Sequence, residues 1–131
     1  NTMASRKILM EAFFSSFIAF ATELKDMFPE DPDFGIFENA LKLLQKTNPS
    51  LAVTYYKQNV LNTKFNEKIA QKDESFFLNY SYDEFHEEVG GADVIGKLKQ
   101  YWTVITPTSR ELVWDYIITL DRLARHLVKT D

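Results

Sequence analysis

Between Met10 and Met27, six apolar residues (Met10, Phe13, Phe17, Phe20, Leu24 and Met27) recur at alternating steps of three and four. Those steps keep side chains on one side of a helix of about 3.6 residues per turn, so the stretch predicts an amphipathic α-helix. Phe14, Ile18 and Ala21 widen the apolar surface past half the circumference. A helix this apolar needs cover on more than one side, either at the centre of a bundle or shared with a second copy in a homodimer. Pro29 ends it, because proline disfavours helical geometry in the residue before it. The apolar run Ile8–Ala21 follows Arg6 and Lys7 but contains Glu11, Ser15 and Ser16 and leads on without a cleavage site. It is also shorter than the roughly 20 residues of a bilayer span, so it reads as a core helix, with no membrane role.

The remaining punctuation is helical too. Asp31, Pro32 and Asp33 form a helix start: a capping side chain, a proline at the first position, and a carboxylate at the positive end of the dipole. Phe37, Ala40, Leu41 and Leu44 then share a face. Asn48-Pro49-Ser50 opens a further segment, Leu51 to Ile69, read as one bent helix or two short ones. Asp73–Leu78 predicts a single helical turn, and Asp83–Val89 another, closed by Gly90-Gly91. Asp93 is expected to cap a helix through Val94, Ile95, Leu98, Tyr101, Trp102 and Ile105. Thr108, three residues before Glu111, is expected to start the last helix as a capping box. That helix buries Leu112, Val113, Tyr116, Ile117, Leu120, Leu123, Ala124 and Leu127. The fold expected is a single all-α domain over residues 1–131, a compact bundle of five or six helices with long amphipathic first and last helices as central neighbours. Asn1-Thr2, ahead of Met3, read as a candidate vector remnant.

Composition narrows the chemistry. The 131 residues contain no cysteine, which excludes disulfides, thiolate metal sites and thiol nucleophiles. Four Gly and four Pro are too few for a fold of many tight turns. Cysteine-free, soluble and without a targeting signal, the chain is expected inside a cell. Charge is unevenly spread. Residues 1–72 balance at +1 and residues 97–131 at +2, whereas residues 73–96 hold seven acids and no Lys or Arg, for −7. Interleaved with those acids are Phe76, Phe77, Tyr80, Tyr82 and Phe85. This acidic-aromatic connecting segment, 73–92, reads either as a strap whose rings fill the core or as a docking surface for a basic protein. In the docking reading Glu84, Glu87 and Glu88 steer while Tyr80 and Tyr82 anchor.

Two alternatives stand beside it. Asp83, His86 and Glu87, with Glu84, lie within about a turn of one another and offer ligands for a metal-dependent hydrolase. The downstream acidic pair that helical pyrophosphohydrolases use is matched only by Glu111 and Asp115, at a gap of four rather than three. Arg122, Arg125 and Lys129 offer a basic turn for nucleic acid, but three cations at a helix C-terminus also complement its dipole. The net charge of −4 argues against nucleic acid as the main ligand. Nucleophilic serine chemistry fails on inventory: His86 and His126 are the two histidines, far apart, and no serine sits on a glycine-flanked elbow. The expectation is a non-enzymatic protein without a cofactor.

Four stretches carry a resemblance: Phe28-Pro29-Glu30-Asp31 with Asp33-Phe34, Leu44 to Pro49 (LQKTNP), Asp73 to Leu78 (DESFFL), and Val113 to Ile117 (VWDYI). Spread over residues 10–127, they resemble small uncharacterised helical proteins encoded by large double-stranded DNA viruses of marine algae. The resemblance implies a viral origin, with a host cytoplasm or a virion as location, and an AT-rich genome. The abundance of Phe, Tyr, Lys and Asn fits such a genome. It implies no activity and assigns no functional residue.

Overall fold

The structure, a computed structural model, describes residues 2–80 and 94–130. Among them are seven α-helices and no strand. Helix α1 spans Thr2–Met27, α2 Pro32–Thr47 and α7 Pro107–Lys129. These three form the frame, with α1 packed against both α2 and α7.

Helix α1 ends where Pro29 requires, and the turn returns the chain as α2. Asp31 Oδ1 accepts from the backbone N–H of Asp33 at 3.1 Å, with Pro32 in the first turn, as the sequence predicts. The predicted seam of α1 is rotated slightly. Phe14, Ala21 and Leu24 are fully buried and Phe13 and Phe20 nearly so, whereas Phe17, expected at the centre, is only partly buried. The reason is that α2 and α7 cover adjoining faces of α1, so the line between them lies deepest. Phe17 sits towards α2, edge-on to Phe37 with ring centres 5.5 Å apart. Phe20 faces the other way and stacks on Tyr116 of α7 at 5.2 Å. The Arg6 guanidinium donates to the Leu127 carbonyl at 3.0 Å and to Thr130 Oγ1 at 3.1 Å. With the first turn of α1 beside the last turn of α7, the two helices run antiparallel, and Arg6 places a cation at the negative end of the α7 dipole.

The start of α7 differs from the capping-box expectation. Thr106, not Thr108, is the cap, its Oγ1 accepting from the Ser109 N–H at 3.1 Å. Pro107 causes this shift: it has no N–H to leave unpaired and a fixed φ suited to the first helical position, so the residue before it takes the cap. Trp114 and Asp121 join the buried stripe alongside the expected Val113, Leu120, Ala124 and Leu127.

Residues 50–80 account for the extra helices. Helix α3 (Ser50–Tyr56) runs into a π turn over Lys57–Leu61, and α4 (Phe65–Ala70) follows a short turn. This is the second of the two expected forms, two short helices: the π turn continues α3 without a break to Leu61, and the turn at residues 62–64 separates it from α4. In the π turn the Asn59 side chain bonds the Tyr55 carbonyl at 2.9 Å. Helix α4 closes with Lys72 at φ 49°, in the left-handed region. The Asp73 N–H reaches the Lys68 carbonyl and the Lys72 N–H the Ile69 carbonyl, the paired bonds of a Schellman ending. Asp73 then caps α5 (Glu74–Asn79), its Oδ1 accepting from the Phe76 N–H at 3.1 Å. Phe77 meets Trp114 edge-on at 5.9 Å, which ties α5 to the core. Helix α6 (Val94–Tyr101) brings Tyr101 flat onto Phe28 at 4.2 Å, and Trp102 just after it meets Trp114. No helix among the described residues is long and apolar enough to cross a membrane.

Candidate functional site

Polar chemistry gathers first where the α1–α2 turn meets α6. Asp31 is buried, and its Oδ2 accepts from the Tyr101 hydroxyl at 2.6 Å and pairs with Lys97 Nζ at 3.1 Å. An open cleft of about 530 Å³ lies beside it, walled by Met27, Phe28, Glu30, Lys97 and Tyr101. The Tyr101 hydroxyl holds the Asp31 carboxyl below its ordinary range, helped by the Asp33 N–H and by Lys97, and this outweighs the opposing effect of burial. The same bonds to Asp31 push Lys97 and Tyr101 upward. All three shifts move away from neutrality, so each group is fixed in its resting charge state near pH 7. That suits a tether and is the opposite of what proton transfer needs. Glu38 makes a second tether inside the α1–α2 hairpin. It accepts from the Thr22 hydroxyl and pairs with Lys25 at 3.1 Å and Lys42 at 3.7 Å. Thr22 first, then Lys25, hold its carboxyl low despite burial.

The described edge of the acidic-aromatic segment is different, because its half-buried rings meet cations. Lys64, the cap of α4, and Lys68, in its last turn, are four residues apart, and Phe76 and Tyr80 are four apart along α5 and its cap. The Schellman turn folds one pair over the other. Lys64 Nζ stands 5.7 Å from the centre of the Phe76 ring and 5.2 Å from that of Tyr80. Lys68 Nζ stands 5.3 Å from Phe76 and also pairs with Asp73 Oδ2 at 3.3 Å. The Phe76 N–H holds the Asp73 carboxyl below its usual value, with Lys68 assisting. Phe65 lies beneath, within 6 Å of Phe76, Phe77 and Tyr80. Lys99 of α6 donates to the Tyr80 carbonyl at 3.2 Å. A groove of about 340 Å³ opens here between Lys68, Asp73, Phe76 and Tyr80.

Of the docking set read from sequence, Tyr80 lies in this groove, whereas Tyr82, Glu84, Glu87 and Glu88 lie outside the described residues. Asp83, His86 and Glu87, the metal candidates, lie outside them as well, with Gly90-Gly91 and the expected cap Asp93. Among the described residues no group of three or more His, Asp or Glu is placed to hold a metal ion. Glu111 and Asp115 are both exposed, and Glu111 pairs with Lys72 at 3.4 Å.

The basic turn is divided. Arg125 Nε bonds Asp121 Oδ2 at 2.7 Å and its Nη2 bonds the Asn66 side chain, so it fastens α7 to the start of α4. Arg122 and Lys129 are exposed. The Asp121–Arg125 spacing of four was available in the sequence as a signal for that pair. The two four-residue steps of lysine and aromatic were equally visible, but only the turn between them brings them together. Set against protein-family models, curated proteins and solved structures, the chain matches none of them.

Proposed function

We propose that this chain is a non-enzymatic interaction protein that binds a basic protein partner through its acidic-aromatic segment. The observation that carries the reading is the pair of half-buried rings at the segment's described edge, Phe76 and Tyr80, which take ammonium groups on their faces. Aromatic faces attract cations through their quadrupole, and seven carboxylates with no basic residue among them supply a field that draws a basic surface in. The anchoring chemistry and the steering chemistry therefore select the same kind of partner. The resemblance to virus-encoded chains gives that partner a setting, in a virion or among host proteins.

The test is the triple change Glu84→Gln, Glu87→Gln and Glu88→Gln. Association with a basic protein is expected to slow strongly at low salt and weakly at high salt, because screening removes the steering. Equal slowing at every salt concentration would reject it.

A further inference from the structure

Helix α2 is apolar on two sides. Phe34, Phe37 and Leu41 are buried on the side that packs towards α1. On the opposite side Asp33, Ile36, Ala40, Leu43 and Thr47 recur at steps of three and four, the spacing of a seam between two helices. Ile36 is 43% exposed and Leu43 63% exposed, and Ala40 between them is half-buried. A lone exposed leucine is ordinary, but two large apolar side chains aligned on one outer face form a surface without its cover.

We propose that this stripe is the interface of a homodimer, in which α2 of two copies crosses antiparallel about a two-fold axis at Ala40. Charge self-complementarity selects a second copy as the occupant. Asp33 lies seven residues before Ala40 and Lys46 six after it. Along the helix those are about 10 Å and about 9 Å. A two-fold axis at Ala40 therefore sets each Asp33 beside the partner's Lys46, and each Ile36 against the partner's Leu43. Parallel pairing would oppose like charges at both ends of the seam, so charge chooses the antiparallel arrangement. The opposed helix dipoles agree with that choice. Both charges are available: Lys46 is exposed, and Asp33 is held only loosely by Lys97, 4.0 Å away. Ala40, the smallest side chain of the stripe, lies at the crossing, where it lets the two backbones come close. The proposal is independent of the docking reading, because the acidic-aromatic segment takes no part in it.

The experiment is sedimentation equilibrium of the full chain from micromolar to millimolar concentration, at low and at high salt. Wild type is expected to pass from monomer to dimer across that range. Leu43→Glu is expected to weaken the dimer by at least about tenfold, because it sets a charge in the apolar seam twice over. Leu43 is exposed in the single chain, so this variant keeps its fold, and circular dichroism checks that it does. Lys46→Glu is expected to weaken the dimer about fivefold at low salt and less at high salt, by turning both Asp33 contacts repulsive. Lys129→Glu, at the end of α7, makes the same change in net charge and is expected to leave the dimer unchanged. A monomer at every concentration overturns the proposal and leaves the stripe to a different protein. A dimer indifferent to Leu43→Glu has its interface elsewhere and overturns it as well. A dimer that Lys46→Glu leaves unchanged or tightens overturns the antiparallel arrangement. Equal weakening by Lys46→Glu and Lys129→Glu reduces the charge effect to net repulsion and overturns it too.

Discussion

The Tyr101 hydroxyl donates to Asp31 Oδ2 at 2.6 Å, joining residues 70 positions apart in the chain. With Lys97 on the same oxygen, Asp31 does two jobs: Oδ1 caps α2 and Oδ2 fixes α6 against the α1–α2 turn.

Those jobs separate by substitution. Asp31→Asn keeps a capping oxygen and removes the charge, while Asp31→Ala removes both. Urea denaturation at pH 7 is expected to find Asp31→Ala less stable than Asp31→Asn by about 1 kcal/mol, the usual worth of an N-cap. The pH dependence follows from the direction of the shift. A carboxyl held low in the folded state contributes its stability above the ordinary carboxylate range and loses it as pH falls through the folded value. The gap between wild type and Asp31→Asn should therefore be fully open above the ordinary carboxylate range and close as pH falls through the lowered folded value of Asp31. A gap that stays constant through the acid range would refute the linkage.

The depth of burial along α1 orders its phenylalanines. Phe14→Ala, at a fully buried site, is expected to cost about 3–5 kcal/mol. Phe17→Ala, at the partly covered site, should cost about 2 kcal/mol. Equilibrium unfolding of the two variants checks the order, and a reversal would place the deepest line of α1 on the wrong side.

The start of α7 offers a sharper comparison. Thr106→Ala removes the oxygen that accepts from Ser109 and should cost about 1 kcal/mol. Thr108→Ala, in an exposed position within the first turn, should stay within about 0.5 kcal/mol of wild type. Equal losses in thermal unfolding would restore Thr108 as a capping residue.

Lys72 stands in the left-handed position that glycine takes in most Schellman endings. Lys72→Gly is expected to raise stability by up to about 1 kcal/mol, since relief of the backbone conformation exceeds the added freedom of the unfolded chain. The pair it breaks, Lys72 with Glu111, is solvent-exposed and contributes little. A drop in the denaturation midpoint would assign that pair a larger role in holding α4 to α7.

What was legible in the sequence was local. Periodicity located α1, and Asp31-Pro32 located the start of α2, because both depend on residues within a turn of each other. Thr106 and Thr108 were harder to separate: Thr108 has its Glu three residues on, and the priority of Pro107 decides between them. The division of residues 50–80 was less accessible still, since a π turn leaves no pattern of its own in the spacing of Leu51, Tyr55 and Leu61. Tyr101 and Lys97 gave no hint of Asp31, and Phe76 gave none of Lys64. Those meetings are made by the path of the chain, which hydrophobic spacing does not encode.

The clasp between Arg6 and the end of α7 spans 121 residues. On a ribosome, α1 is complete some eighty residues before α7 begins, about 4–16 s at ordinary elongation rates. Through that interval α2 can shelter one flank of α1, while the flank that Tyr116 covers stays bare. The nascent chain thus carries a sticky, half-covered helix until α7 is made, and this is where chaperone demand and misassembly would concentrate during synthesis.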